Sequence, residues 1–267
     1  MKEAMDAEGV TTGREARTMI RQGKWRKPTA GLAPGFVQAN LVVLPRDLAY
    51  DFLLFAQRNP KPCPVIEVTD MGSPEPRLTA PGADLRMDIP KYRIYREGEL
   101  AEEVTDLLDV WSADLVAFLL GCSFSFETAL LRAGVPVRHI EENKNVPMFI
   151  TSLSCVPAGV FSGPLVVTMR PIPAPLVPRA VQVSGRFPAV HGAPVHVGDP
   201  AAIGVRDLAR PDFGDAVSIR PGEIPVFWAC GVTPQAVAMQ AKPPLLISHA
   251  PGHMFVTDLK DEALAAY

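Results

Sequence analysis

Long basic runs, an apolar leader and closely spaced cysteines are all missing from this sequence. Its 267 residues carry 26 basic and 29 acidic side chains, with no basic stretch of the kind that binds nucleic acid. Glu3, Asp6 and Glu8 stand where a signal peptide needs a positive start and an apolar run, so we expect a cytoplasmic protein. The most apolar stretch, Leu115–Phe126, is shorter than the ~20 residues that cross a bilayer. We therefore expect neither nucleic acid nor a membrane as a partner.

Cysteine and histidine are both scarce, with four and five residues. The cysteines are too far apart in sequence for a zinc knuckle or a Cys-x-x-Cys redox pair, so we expect free thiols. Four of the five histidines fall in two loops, and we predict that they take part in acid–base catalysis: these are His191, His196, His249 and His253.

Cofactor signatures are equally sparse. No Gly-x-Gly-x-x-Gly is present, and Gly31–Gly35 lacks the Lys-Ser/Thr pair of a phosphate-binding loop. We predict no cofactor. His191, His196 and Asp199 share a Gly/Pro-rich loop that could also hold a divalent metal, because imidazole and carboxylate groups suit zinc, manganese or iron.

Apolar strands that alternate with helices are what the sequence does have, separated by loops rich in its 28 prolines. This pattern predicts an α/β fold with two domains. We expect a larger three-layer α/β/α domain formed by residues 1–150 and 223–267. A smaller α+β domain, residues 151–222, is predicted to be inserted in it.

Two segments of the chain resemble each other. Each begins with an apolar strand that ends in a cysteine, continues with a helix that carries Glu or Gln five residues later, and reaches a histidine beyond the helix. The matching residues are Cys122, Glu127 and His139 in the first segment and Cys230, Gln235 and His249 in the second. The likeness indicates a structural repeat, although any two strand–helix–strand units can look alike.

If the repeat is real, both cysteines lie at helix amino ends, where open α/β sheets bind ligands. Such ends carry partial positive charge, which suits a carboxylate and lowers the pKa of a thiol. We predict Cys122 and Cys230 to be catalytic, whereas the alternative for each is a small buried apolar residue. Arg170 ends an apolar strand and could clamp a carboxylate, or it could be an exposed strand-end charge. The predicted substrate-binding residues are Asn40, Ser123, Ser125, Glu127, Arg170 and Thr233.

A run of motifs resembles one known family across nearly the whole chain. The segments of this chain that resemble the family's motifs are 28–40 (PTAGLAPGFVQAN), 121–127 (GCSFSFE), 136–141 (PVRHIE), 163–171 (GPLVVTMRP), 191–196 (HGAPVH), 225–235 (PVFWACGVTPQ) and 249–254 (HAPGHM). The resemblance is to the hydro-lyase family whose domain also occurs in D-glutamate cyclase. It implies a two-domain α/β fold, a homo-oligomer and loss of water from a small carboxylate, such as conversion of D-glutamate to 5-oxo-D-proline.

Two other functions remain open. A cofactor-independent racemase or epimerase would place one cysteine on each face of a substrate Cα. A non-catalytic accessory protein would bind a small carboxylate without turnover.

Overall fold

The strands form two antiparallel sheets. The computed structural model describes residues 9–266, and every strand pairing in that range is antiparallel. The strands are β1 (Phe36–Pro45), β2 (Val65–Val68), β3 (Tyr92–Arg96), β4 (Glu99–Val104), β5 (Leu115–Gly121), β6 (Met148–Ser154), β7 (Pro164–Pro173), β8 (His196–Val197), β9 (Glu223–Ala229), β10 (Leu246–His249) and β11 (Phe255–Lys260). The α-helices are α1 (Gly13–Arg21), α2 (Arg46–Arg58), α3 (Phe124–Arg132), α4 (Arg138–Glu141), α5 (Val177–Gly185) and α6 (Val232–Gln240).

The central strand of the first sheet is buried on both faces. This sheet has the order β2-β5-β1-β10-β3-β4, and β11 also pairs with β1. Successive side chains of a strand point to opposite faces. Accordingly, Ala39, Leu41 and Val43 of β1 pack into one apolar cluster while Val42 and Leu44 pack into another. Helix α2 follows β1 directly, with its buried Phe52 and Phe55 in the second of these clusters.

The two sheets are interlocked through helices α3 and α6. The second sheet has the order β6-β7-β9-β8. Helix α3 leaves β5 in the first sheet and leads towards β6 in the second, whereas α6 leaves β9 in the second sheet and leads to β10 in the first. Strand β1 lies between β5 and β10, and β7 lies between β9 and β6. The two similar sequence segments therefore occupy matching positions in the two sheets.

The predicted α/β class is confirmed, since helices accompany both sheets. The expectation that both cysteines follow strands of one open sheet with a topological switch point is wrong, because the strands belong to two antiparallel sheets. The apolar residues Val135 and Val137 predict a strand over 135–140, and this prediction is wrong: both follow the turn at residues 133–134 and pack into the core before α4 begins at Arg138.

The domain bounds and the three-layer arrangement stay predictions. The division at 222 assigns β9 to the larger domain, while the strand pairing places β9 between β7 and β8 of the second sheet. Residues 1–8 and 267, which the predicted larger domain includes, lie outside the described residues. Among the helices of residues 9–266, none combines the length and apolar character needed to cross a membrane.

Candidate functional site

Arg170 is the centre of a buried polar cluster. It lies on β7 with no exposed surface, and it forms an ion pair with Glu127 of α3. Its guanidinium also donates to Thr168 Oγ1 at 2.9 Å and to Ser123 Oγ at 3.2 Å. The rings of Phe126 and Trp228 flank it, with centroids 5.2 and 5.3 Å from Cζ.

This arrangement corrects both interpretations of Arg170. It is not an exposed strand-end charge. Its hydrogen bonds are directed to Glu127, Ser123 and Thr168, so it holds protein groups in place of a substrate carboxylate. Burial acts to raise the pKa of Glu127, but Arg170 and His139 together hold that pKa below its ordinary value. Glu127 is therefore a carboxylate at neutral pH, and its position is fixed by Arg170.

Cys122 and Cys230 follow β5 and β9, the matching strands of the two sheets. Burial is the main cause that raises the pKa of Cys122 to about 12, and Cys230 acts in the same direction. Burial likewise raises the pKa of Cys230 to about 11. The expectation that helix amino ends lower these pKa values is wrong, because loss of solvation outweighs the helix field and the backbone hydrogen bonds.

Both thiols should therefore react slowly with alkylating reagents, since only the thiolate is nucleophilic. At pH 8 we expect Cys122 and Cys230 to react with iodoacetamide at least ~100-fold more slowly than free cysteine, whose pKa is about 8.5. Quantitative mass spectrometry of the cysteine-containing peptides measures both rates, and a peptide carrying the surface variant Ala263→Cys provides an internal reference. A rate at either cysteine equal to that of the reference would contradict the raised pKa values.

Asn40 and Thr233 are predicted site residues that hold backbone together. The Asn40 side chain donates to the carbonyl of Gly121 at 2.9 Å, and a Cβ on Gly231 would lie 2.3 Å from its Nδ2 atom. Asn40 thus joins the ends of the two cysteine-bearing strands. The Thr233 hydroxyl accepts from the Val166 amide at 3.0 Å and so joins α6 to β7.

Three helix starts carry sequence signals for capping residues. Thr233, followed by Pro234, predicts a cap for α6, but α6 begins at Val232, so Thr233 lies inside its first turn. Ser123 or Ser125 is expected to cap α3, but no side chain does so, and the Ser123 hydroxyl accepts from Arg170. Thr12 and Glu15 have the spacing of a capping box, and this capping box is present at the start of α1.

His191 lies near the Arg170 cluster, and His249 lies in the matching unit. His191 is buried with a left-handed φ of 81°, and its Nδ1 atom is 2.9 Å from the carbonyl of Lys61. Burial lowers the pKa of His191 to about 4, with Arg170 adding to the effect. His249 Nδ1 accepts from the Leu41 amide at 3.1 Å and lies 3.0 Å from Gln235 Nε2. Burial lowers its pKa to about 4 as well, so both imidazoles are neutral at pH 7.

The structure does not bring His196 and His253 to this cluster. His196 Nε2 lies 2.7 Å from the Asp199 carbonyl, and His253 Nδ1 lies 2.9 Å from the Pro251 carbonyl. Their predicted catalytic roles stay predictions. Within residues 9–266, no group of three or more His, Cys, Asp or Glu side chains is placed to hold a metal ion.

A cavity of about 410 Å³, here called the main cavity, opens beside Glu127. The loop of residues 30–36 forms part of its wall, together with Ser125, Glu127, His139, Lys144 and Asp261. His139 Nε2 lies 3.3 Å from Glu127 Oε1, and both side chains are almost fully buried. Burial raises the pKa of Asp261 to about 6, while the Ser125 hydroxyl and nearby cations act in the other direction.

Three buried atoms in this wall make no well-formed hydrogen bond in the described part of the chain: His139 Nδ1, Ser125 Oγ and Asp261 Oδ1, although the Ser125 hydroxyl is near enough to the Asp261 carboxyl to lower its pKa. Such atoms are costly unless a ligand or solvent satisfies them, so they mark the main cavity as the candidate site. The sequence predicted Ser125 and Glu127 here but missed His139 and Asp261. The repeat gave a usable signal for His139, since it matches His249. Asp261 has no such signal.

The fold and site thus define an α/β protein with a buried carboxylate–imidazole pair on a cavity of small-molecule size. A family model described as D-glutamate cyclase matches residues 116–258. A "Putative hydro-lyase" of Geobacillus kaustophilus is 66% identical over 95% of this chain and 96% of its own. A second "Putative hydro-lyase", from Thermoanaerobacter sp., is 68% identical over 99% of this chain and 100% of its own. The "Putative hydro-lyase YcsI" of Bacillus subtilis is 64% identical over 94% of this chain and 98% of its own.

The chain belongs to the D-glutamate cyclase family, which confirms the family predicted from the motifs. The predicted enzyme class, a lyase, agrees with the names of these relatives.

Proposed function

We propose that the protein is a hydro-lyase that removes water from a small amino carboxylate, with D-glutamate converted to 5-oxo-D-proline. The observation that carries this proposal is the buried Glu127–His139 pair beside the main cavity. The family and the names of the relatives support the same reaction class. A cavity of about 410 Å³ has room for a five-carbon amino acid.

Cyclisation of glutamate moves two protons from its ammonium nitrogen to one oxygen of the side-chain carboxylate. A C–N bond forms, a C–O bond breaks, and that oxygen leaves as water. The nitrogen can attack only after it loses a proton, so the site must contain a base close to the amine. The departing oxygen needs an acid, because an oxide is a very poor leaving group.

His139 is the base in this proposal. In this proposal the ionised Glu127 accepts a hydrogen bond from the Nε2–H group of His139, and in the neutral ring with that tautomer Nδ1 is the acceptor atom. The Nδ1 atom is buried and has no partner in residues 9–266, so it is available to accept a proton from substrate. Arg170 keeps Glu127 ionised and in place, and thus acts as a positioning residue.

The substrate carboxylates need donors, and two features of the cavity wall supply them. The loop of residues 30–36 contains three positive φ values, at Gly31, Ala33 and Gly35. Alternation of left-handed and right-handed residues turns successive backbone N–H groups to one side, which makes anion-binding concavities. Lys144 also lines the cavity, and since its Nζ already bonds to Glu142 at 2.8 Å and to the Ala216 carbonyl at 2.9 Å, one N–H remains for a substrate.

Racemisation through two thiols is the second candidate, and it is favoured by Asn40, which joins the ends of the two strands that lead to Cys122 and Cys230. A racemase needs one thiolate and one thiol. Here burial keeps both thiols protonated, so ionisation of either would be an added cost. Exchange of the substrate Cα proton for solvent deuterium, without formation of 5-oxoproline, would favour this function over cyclisation.

The test is to incubate the purified protein with D-glutamate and to follow 5-oxo-D-proline by chiral chromatography. We expect product, and we expect His139→Asn to lower the rate about 100-fold, which is typical for loss of a general base. His253→Asn is the comparison variant: the hydrogen bond that its ring forms is to the Pro251 carbonyl in its own loop, so in this proposal its rate should fall far less than that of His139→Asn. No product from either enantiomer, with or without divalent metal, would remove glutamate as the substrate. Thermal stabilisation by glutamate without turnover would indicate a binding protein.

A further inference from the structure

Asp261 is a buried carboxyl group that no sequence pattern singles out. It lies directly after β11, at the start of a short 3₁₀ segment (Asp261–Leu264), and its amide donates to the Gly35 carbonyl at 3.0 Å. This bond joins Asp261 to the loop of residues 30–36, which forms the opposite part of the cavity wall. The side chain is 6% exposed, and Oδ1 has no partner in the described residues.

Asp261 lines two cavities. Besides the main cavity, it borders a second cavity of about 380 Å³, and Ser125 and Thr128 are also shared by both. A proton donor must recover its proton from solvent after each turnover. A carboxyl group that borders a second cavity can do so while the main cavity is occupied.

We propose that Asp261 is a catalytic acid, which in its protonated form donates a hydrogen bond to one substrate carboxylate and then a proton to the departing oxygen. This proposal rests on the proposed function. In it, His139 accepts a proton from the ammonium group, the C–N bond forms, and the Asp261 proton passes to the oxygen as the C–O bond breaks. The imidazolium of His139 gives its proton to the same oxygen, which then leaves as water, and His139 takes the second proton from the nitrogen. His139 releases that proton to solvent, and solvent reprotonates Asp261.

The surroundings of Asp261 favour a neutral carboxyl group that can donate. Burial raises its pKa to about 6, and the charge of Glu262 acts in the same direction. A carboxylic acid kept neutral by a poorly solvated site is an effective hydrogen-bond donor to an anion. The ionisable groups around it are Glu262, Lys260, Arg132 and Arg186, together with Glu127, His139 and Lys144 across the main cavity.

The first experiment measures binding and needs no turnover. Glutarate carries the two carboxylates of glutamate and has no amine, so it cannot cyclise. We expect its affinity, measured by calorimetry, to fall at least tenfold between pH 6 and pH 8, a range in which glutarate is a dianion, with net proton uptake on binding. In Asp261→Asn we expect the affinity to be independent of pH to within about twofold, because a neutral amide replaces the acid over the whole range.

The second experiment measures the rate of 5-oxo-D-proline formation against pH. We expect kcat/KM of the wild type to decrease as pH rises above about 6. In Asp261→Asn this decrease should be absent, and kcat should be about 100-fold lower than in the wild type. Glu262→Gln is the matched control, since Glu262 is exposed and borders only the second cavity. The kcat/KM of this variant should still decrease with rising pH, but the decrease should begin at a slightly lower pH than in the wild type.

The two experiments separate the two proposals. Suppose that the protein does not turn over glutamate, but its affinity for glutarate depends on pH and this dependence is lost in Asp261→Asn. That result would place Asp261 at the ligand and reject glutamate as the substrate. Affinity that depends on pH equally in both proteins would overturn the assignment of Asp261, whatever the reaction. Normal activity and an unchanged pH profile in Asp261→Asn would overturn it as well.

Discussion

Replacing Arg170 with methionine is expected to lower the free energy of unfolding by about 3–5 kcal/mol at pH 7.5, the usual cost of removing one partner from a buried ion pair. Methionine keeps much of the apolar volume between Phe126 and Trp228, but it removes the donors to Glu127, Ser123 and Thr168. Glu127 would then be a buried carboxylate with His139 as its remaining side-chain partner. Urea unfolding at several pH values measures the effect.

The pH dependence of this loss has a definite sign. In the wild type the pKa of Glu127 is held below its ordinary value of 4.5, so the ionised pair contributes stability above that value and loses it as pH falls. Without Arg170, burial raises the pKa of Glu127, and the carboxyl can become neutral. The stability difference between the two proteins should therefore be largest at pH 7–8 and should shrink below pH 5.

Two controls isolate the buried pair. The double variant Arg170→Met with Glu127→Gln removes the uncompensated charge, so it should be more stable than Arg170→Met alone. Arg77→Met breaks an ion pair with Asp70 in which both side chains are about two-thirds exposed, and it should cost no more than about 1 kcal/mol. A loss in Arg170→Met as small as that in Arg77→Met would show that the cluster contributes little to folding.

Local order in this protein is predictable from its sequence to a large extent. Helix α2 and strand β2 have the bounds that their apolar patterns indicate, and so does the hairpin of β3 and β4. Their signals are local: a proline at a helix start, alternation in a strand, a Glu-Gly turn. The pairing of the strands is not local. Nothing in the sequence of β9 shows that it pairs with β7 and not with a strand of the first sheet.

The candidate site likewise has residues that local sequence signals indicate and residues whose role depends on distant partners. Glu127, Arg170 and Cys122 lie at the ends of strongly apolar segments, where a polar residue stands out, and Arg170 and Glu127 form a buried ion pair. Whether a charged residue contacts substrate or another residue depends on its distant partners, and for this reason the carboxylate-clamp interpretation of Arg170 was wrong. Asp261 gains its unusual environment from Ser125 and the loop of residues 30–36, which are more than 130 positions away in the chain.

The second large effect is expected at Trp228. Its side chain has no exposed surface, its Nε1 donates to Ser184 Oγ at 3.0 Å, and its ring lies 5.8 Å from that of Phe126. Trp228→Ala should lower the free energy of unfolding by about 3–5 kcal/mol, because it leaves a large cavity and removes a buried hydrogen bond, although the Ser184 hydroxyl keeps its bond to the Ala180 carbonyl. Trp228→Phe, which keeps an aromatic ring beside Arg170, should cost less than half as much in the same urea titration.

Trp228 also tests whether the two interlocked units depend on each other. It lies on β9 beside Cys230, while Phe126 and Arg170 belong to α3 and β7, so its removal loosens the contact through which Arg170 holds Glu127. We therefore expect Trp228→Ala and Arg170→Met to be non-additive, with the double variant less destabilised than the sum by about 1 kcal/mol or more. Hydrogen exchange should show loss of protection in α3 as well as in β9. If the two effects are strictly additive and protection is lost in β9 alone, Trp228 stabilises the second sheet independently of the site. The proximity of the two cysteine-bearing strand ends would then not couple the two units.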